Sequence, residues 1–550
     1  MGLPDDIAAV LESRLRMHRR RFLGLVAAGA GAVAVGCSDD ESTAGAGATT
    51  STQATTAPVT QRPVPSGHGL SGDPFLLGVS SGDPLPDSVI LWTRLVTDLD
   101  DQTGTGGIGE PPPGADEWAV RWEVASDEKF EKLVASGDEP APADLGHSVH
   151  VDVDGLEPDT WYWYRFRIGD HTSPVARTRT TPAPDADVDR LRFAFASCQL
   201  RSGGYWTAYD AMAEDDLDVV FHLGDYVYEY PGGEGDLAVP LDTEPQNIGD
   251  YRRLYGAYKR DPKIQAAHTR CPWIVTWDDH EVENNVAGAV PEKDADRDTF
   301  PERRAAAFQA FWEHHPLRID APTDDGLHLY RSFTYGDLAD IWVLDGRQYR
   351  SDQACGDKIP TVASECAELD DPKRTMLGEE QEKWLHDGLA KAQRTWKVIA
   401  QQTVVKALVI GDLVLNVDQW DGYPAARRRL LEAIADGGVD NVVVLTGDIH
   451  AAGAADLRLP DAGQEGSIVA SELVCPGISS PGLIPDGLVD PSTFGLVHAN
   501  LKTNGYVRCE VTPEKWKAEF IDVDISVPTA PAKVDATLEL TAGEHGLKAV

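Results

Sequence analysis

The stretch VVFHLGDYVYEY, residues 219–230, decides how the rest of the chain is read. Val219–Leu223 is an apolar run of the length of a buried strand, and it breaks off at Gly224, Asp225 and a set of tyrosines. Gly-Asp is ordinary turn chemistry, and Tyr suits the edge of a sheet. The sharper reading puts Asp225 and Tyr228 at the carboxyl end of the strand with their oxygens turned toward a metal. One such stretch decides nothing, so the weight falls on what the other strands deliver.

They deliver the same kind of residue in the same place. RLRFAFASCQ (190–199) ends at Cys198, and PWIVTWDDHE (272–281) ends at Asp278, Asp279 and His280. DIWVLDGRQYR (340–350) ends at Asp345, Arg347 and Arg350, WKVIAQQT (396–403) at Gln401 and Gln402, and NVVVLTGDIH (441–450) at Asp448 and His450. Alternation of such strands with long helical and loop segments predicts α/β layers, where ligands gather outside the carboxyl ends of the strands.

Each residue also has a bland reading. Cys198 alone is a small buried hydrophobe, Asp225 a turn former, and Asp279 with His280 a helix cap beside an exposed histidine. His222, inside its strand, reads as a buried, hydrogen-bonded histidine, and His314 and His315 as a helix end before Pro316. What favours chemistry is the repetition at strand after strand.

Length and charge set outer bounds. The 550 residues, 42% of them hydrophobic, can build a large core or several domains. The formal net charge of -41, from 49 basic and 90 acidic residues, repels phosphate backbones, so no specific nucleic-acid binding is expected. At the N-terminus, Arg19, Arg20, Arg21, Phe22 and Leu23 precede a weakly apolar, Ala- and Gly-rich stretch. It is too short for a bilayer core, which requires about 20 residues, and it resembles a twin-arginine export signal. Ala34, Val35 and Gly36 before Cys37 resemble a lipobox, which implies lipidation of Cys37, membrane association through it and passage through the twin-arginine translocase.

The signal occupies 1–37, and a Ser/Thr/Ala/Pro linker, 38–67, cannot bury enough apolar surface to fold. Runs such as SVILWTRL, WAVRWEVAS, HSVHVDV and TWYWYRFRIG then predict an all-β sandwich over 70–183, whose GLEPDTWYWYRF resembles the aromatic corner of fibronectin type III or Ig-like modules. The catalytic domain is placed at 188–525, and 526–550 reads as a poorly constrained tail. Cys355 and Cys366, in one loop of an exported chain, form a candidate disulfide, while Cys271, Cys475 and Cys509 have no assignable partner.

The ordered set FASCQ, HLGDYVYEY, TWDDHEVENN, LDGRQYR, DQWDGYP and LTGDIHAA resembles the PhoD-type alkaline phosphatases, calcineurin-like metallophosphoesterases related to purple acid phosphatases. The resemblance implies a two-sheet αββα catalytic domain with one ferric iron (Fe3+) and calcium ions (Ca2+). It also implies action on small phosphate monoesters and diesters by attack of a metal-bound hydroxide. Position by position, Asp225 falls on the bridging carboxylate, Tyr228 on the phenolate, and Cys198 on the thiolate given to iron. Asp279 stands where the superfamily has an asparagine, so His280 falls on the residue that contacts the leaving group. Asp448 and His450 match the final Gly-His-x-His motif, with Asp replacing the first His. The superfamily's intervening histidine has no obvious equivalent; Gln402 is the candidate, with Asn285 a second one beside the divalent ions.

Thiolate, phenolate, carboxylate and imidazole suit a trivalent iron, and Asp279 and Asp448 in place of Asn and His harden the second site toward calcium. Arg347 and Arg350 offer a bidentate phosphate clamp or structural ion pairs, and Arg347 is assigned to the clamp. Trp420 and Tyr423 are candidate walls of the site, and the arginines after them decorate a helix. A monomer is expected. The competing readings are a phospholipase or extracellular nuclease on the same scaffold, and a non-catalytic surface lipoprotein stabilised by metals.

Overall fold

The computed structural model describes residues 62–101, 103–323, 326–460, 466–482 and 490–550. The expected export signal, Cys37 and nearly all of the linker lie outside the described residues. No helix among the described residues is long and apolar enough to cross a membrane.

Two large sheets face each other. In the first, strands Leu191–Ala196, Val219–His222, Trp273–Val275 and Val79–Gly82 run parallel in that spatial order. In the second, Ala339–Val343, Trp396–Ala400, Val442–Thr446 and Ser467–Val474 do the same. Such strands are apolar on both faces because both faces are covered. Phe193, Phe195, Phe221 and Ile274 meet Ile341, Val343, Val398, Val443 and Leu445 between the sheets. On the outer face of the first sheet, Val220, Trp273 and Val275 pack against Tyr209, Leu254, Tyr255, Tyr258 and Phe311 from helices Thr207–Glu214, Ile248–Lys259 and Phe300–Glu313. On the outer face of the second, Trp342, Ile399 and Val444 meet Leu385, Leu389, Leu430 and Ile434 from helices Gly378–Lys391 and Pro424–Asp436. Each such fully buried side chain contributes about 1.5–3 kcal/mol. The class is therefore α/β, with helices outside both sheets.

The N-terminal segment is all β, but the sheet does not respect the expected boundary. Strands Val89–Arg94 and Ser148–Val153 continue the first large sheet through Val79–Gly82, where Gly82 registers with Trp273. Leu133–Ala141, Trp118–Ala125, Trp161–Ile168 and Ala176–Arg179 form a separate sheet that shares a core with them, including Trp118, Val120, Tyr164, Val89 and Leu91.

The C-terminus needs a correction. Residues 526–550 are not a loose tail: Lys533–Thr541 pairs antiparallel with Lys515–Val523, and Lys548–Ala549 pairs with it in turn. Leu538 and Leu540 are buried in the inter-sheet core. The polar KVDATLELT buries two alternate residues, Leu538 and Leu540, on one face, which a reading by overall polarity overlooks.

Candidate metal centre

The parallel strands of both sheets end at the same side, and their loops meet there. Several of the residues at these ends hold left-handed backbone: Cys198 (φ 60°), Asp225 (55°), Asn285 (54°), Asp448 (65°) and His450 (53°). Non-glycine residues adopt this conformation at a cost of about 1–3 kcal/mol each, and such strain concentrates at functional sites. Gly224 and Gly447 allow the close approach. A Cβ on Gly224 would collide with Asp278, and one on Gly447 would collide with the Ser197 hydroxyl.

Three overlapping groups of ligand atoms result, buried in all but the half-buried Asp448 and each within 4.8 Å of one another: Cys198, Asp225 and His450; Asp225, Asp279 and His280; and Asp278, Asp279 and Asp448. Asp225 belongs to two of them. Tyr228 Oη lies 2.7 Å from Asp225 Oδ2 and 3.0 Å from His450 Nε2, which places the phenol inside the first group. His450 donates from Nδ1 to the Pro481 carbonyl at 3.1 Å, leaving Nε2 with its lone pair toward the centre.

The residues fit a pair of cations. Asp225 Oδ1 is a buried carboxylate oxygen with no hydrogen-bond donor, and Asp279 Oδ1 has only the Arg347 guanidinium 3.4 Å away; a buried carboxylate oxygen without a partner is costly unless a cation faces it. Burial raises the Cys198 thiol well above its ordinary range, with Asp225 and Asp448 adding to it. Burial likewise raises Asp225 against the pull of His280, and it raises Tyr228 with help from Asp225 and Cys198. Asp448 is pushed up to about 7 by burial and by Asp279. Arg347 and His280 hold Asp279 down to about 2 in spite of its burial. Multivalent cations are the partners that let such a set ionise together.

His280 stands at the open edge. Its side chain is 11% exposed, and its Nδ1 lies 2.7 Å from Glu229 Oε2. Burial alone would lower this imidazole, but Glu229, Asp279 and Asp225 outweigh it and raise it well above the ordinary histidine value. The ring lies between Tyr228 and Tyr230, at centroid distances of 4.2 and 5.2 Å. With Nδ1 engaged by Glu229, Nε2 is left to hold a proton at the centre.

Arg347 corrects the expected phosphate clamp. Its side chain is 0% exposed, and its guanidinium bonds Asp278, Asp418 (2.9 Å) and Asp448 (3.3 Å) with Asp279 at 3.4 Å. Arg350 joins it on Asp418 at 2.6 Å. A guanidinium committed to four carboxylates offsets only part of their charge and has no face left for a substrate. Gln402 is likewise no substitute for the missing histidine. Its amide donates to Thr276 Oγ1, the Trp277 carbonyl and the Leu344 carbonyl, and accepts from Gly346 N, so it clamps strand ends. Asn285 sits beside the centre: its N–H donates to Asp279 Oδ2 at 2.6 Å, while its side-chain amide bonds Asp357. Trp420 and Tyr423 are buried in the core and do not wall the site.

Several contributors escaped the sequence reading. Glu229 lies inside the opening stretch, and Glu281 accepts from Asp225 N (3.0 Å), Tyr226 N (2.5 Å) and Asp278 N (2.8 Å), tying two ligand loops together. Their signal is the acid that follows each motif, in YVYEY and DDHE. Gln419, from DQWDGYP, donates to Asp448 Oδ2 at 2.5 Å. A groove of about 590 Å³ between Ser332–Thr334 and the helix face at Lys383–Lys391 includes none of these residues.

A family model described as PhoD-like phosphatase matches residues 193–520, and one described as its N-terminal domain matches residues 62–182. Alkaline phosphatase D of Bacillus subtilis (strain 168) is 43% identical over 497 residues, covering 88% of this chain and 83% of that protein. A solved structure of PhoD superposes with a TM-score of 0.81 at 43% identity, covering 87% of this chain and 92% of that one. A chain that matches at this length and identity, with carboxylates, thiol, phenol and imidazole gathered at its strand ends, belongs to the PhoD-like phosphatase family.

Proposed function

We propose that this phosphatase is exported and metal-dependent, and that it hydrolyses phosphate monoesters and diesters. Cys198, Asp225, Tyr228 and His450 would hold a ferric ion, and Asp225, Asp279 and Asp448 calcium, with Asn285 beside them. The observation that carries this reading is the sharing of Asp225 between two groups of ligand atoms. One group offers sulfur and imidazole, with the Tyr228 phenol against Asp225, which suit iron; the other joins the Asp225 and Asp279 carboxylates to His280, and Asp279 leads on to Asp278 and Asp448, whose oxygens suit calcium. When bound, such ions supply Lewis-acid stabilisation of phosphate oxygens and activation of water near neutral pH.

The chain's own residues do the rest. His280, oriented by Glu229, holds a proton at the open edge for the departing alkoxide. Arg347 keeps Asp278, Asp279, Asp418 and Asp448 together in a site too crowded with anions to assemble without it. Glu281 fixes the loops that carry Asp225 and Asp278. Export rests on Arg19–Leu23 and the segment before Cys37, and the Cys355–Cys366 disulfide fits an oxidising compartment.

Metal analysis of protein exported by its native route tests the reading, with iron and calcium both expected in stoichiometric amounts. Zinc in place of both would overturn it. Parallel turnover of an alkyl monoester, a lipid diester and a nucleic acid ranks the substrates. Nuclease or phospholipase activity far above monoesterase activity would replace the phosphatase preference with one for diesters.

A further inference from the structure

The segment CPGISSPG, residues 475–482, follows strand Ser467–Val474 and touches three of the four residues proposed to hold iron, Cys198, Tyr228 and His450. Ser480 Oγ accepts a hydrogen bond from Leu200 N at 3.2 Å, so its own proton is directed at Tyr228 Oη, 2.9 Å away. The Pro481 carbonyl fixes the His450 tautomer. Ser479 N and Ser480 N both donate to the Cys198 carbonyl, at 3.3 and 3.1 Å, and Ile478 N donates to the Ser197 carbonyl. On the other side, Ser197 Oγ lies 3.2 Å from Cys198 Sγ and 3.3 Å from the free, buried thiol of Cys475. Asn504 closes the segment from behind, donating to the Gly477 and Ser480 carbonyls at 2.8 Å each.

Two anionic iron donors therefore each have one serine hydroxyl behind them, and each hydroxyl has its own second partner. We propose that Ser480 and Ser197 are positioning residues that set the donor strength of the Tyr228 phenolate and the Cys198 thiolate, and through them iron affinity and colour. This rests on the ferric reading above. A hydrogen bond to a phenolate or thiolate withdraws charge from the donor atom, so ligand-to-iron charge transfer takes more energy; removing the bond moves the absorption to longer wavelength. Partners of this kind typically change metal affinity by about 10–100-fold.

Ser479 provides an internal control. It is equally buried and its hydroxyl is equally used, donating to the Leu200 carbonyl at 2.9 Å and accepting from Trp206 Nε1 at 3.0 Å. It touches neither Tyr228 nor Cys198 through its side chain.

The experiment compares purified, iron-loaded full-length wild type with Ser480→Ala, Ser197→Ala and Ser479→Ala by visible absorption, resonance Raman and competitive iron chelation. Ser480→Ala is expected to shift the phenolate band to longer wavelength with the iron–sulfur stretch unmoved. Ser197→Ala should move the iron–sulfur stretch with the phenolate modes unmoved, and both variants should lose iron about 10–100-fold more readily. Ser479→Ala should match wild type. A Ser480→Ala band at the wild-type position overturns the proposal, as does an equal shift in Ser479→Ala, which would mean general loosening of the segment. Wild type that contains no iron overturns both this and the ferric reading, and it is recognised before any variant is made. Should Ser480→Ala fail to fold, the wild-type iron–phenolate mode is compared in H₂O and after long equilibration in D₂O. A mode that does not respond overturns the hydrogen bond.

Discussion

Glu229 Oε2 and His280 Nδ1 lie 2.7 Å apart, joining the end of the opening stretch to the histidine at the open edge of the metal centre. Glu229 Oε1 is held in turn by the N–H of Asn284 at 2.8 Å. His280→Ala should therefore reduce turnover of alkyl phosphates by about 10²–10⁴-fold and that of an activated aryl phosphate far less, since only a poor leaving group needs the proton. Glu229→Gln should show the same asymmetry in weaker form. Steady-state kinetics on the two substrates checks this; equal losses on both would reassign the pair to folding.

Asp225 is shared between two groups of ligand atoms. Asp225→Asn keeps the shape but cannot balance two cations, so turnover should fall to background and at least one metal should be lost. Elemental analysis beside the assay is the check, and near-normal turnover with both metals retained would remove Asp225 from the centre.

Arg347 has no exposed surface and faces four carboxylates. Arg347→Met keeps much of the volume and strands those charges, a loss of about 3–5 kcal/mol for a broken buried ion pair. Denaturant unfolding of metal-free protein should show it, with added calcium restoring part of the loss. A phosphate-gripping arginine would behave differently, raising KM at nearly unchanged stability.

Five buried imidazoles line the contact between the N-terminal strands and the helical layer. Burial depresses His150 to about 4 and His222 to about 3, and takes His268, His314 and His315 well below the ordinary value near 6.5. Below pH 6.5 the unfolded chain takes up protons that the folded chain refuses, so stability is fully present above that pH and is lost as pH falls. Each refused proton costs about 1.4 kcal/mol per pH unit. Melting temperature should be flat from pH 7 to 8 and drop steeply from pH 6.5 to 4, and His150→Gln should lessen the slope. An unchanged slope in that variant would exclude His150 from the effect.

Lys533–Thr541 buries Leu538 and Leu540 against the inter-sheet core. A chain ending before Lys533 should lose about 3–6 kcal/mol from these two side chains and bare the edge of Lys515–Val523. Soluble yield and thermal melting check this; a truncated protein as stable as the full chain would restore the reading of a loose tail.

What the sequence determined by itself is local. Val219–Leu223 reads as a strand because it is largely apolar and β-branched, and Gly224-Asp225 ends it because Gly-Asp is turn chemistry. The polar residues that close each strand, from Cys198 to His450, could be named as a set because the α/β rule gathers strand ends on one side. Tertiary structure decided everything that depends on which distant groups meet. Arg347 looks like a phosphate clamp until Asp418 and Asp448 are placed around it, and Gln402 looks like a ligand until the Trp277 and Leu344 carbonyls take its amide. Ser480 carries no signal in CPGISSPG, because a serine in a loop becomes informative only when a buried phenol 252 residues away in sequence lies 2.9 Å from its hydroxyl. The sequence encodes the side chains and their local geometry; pairing of strands from opposite ends of the chain in one sheet supplies the partners, and the partners fix what each charge does.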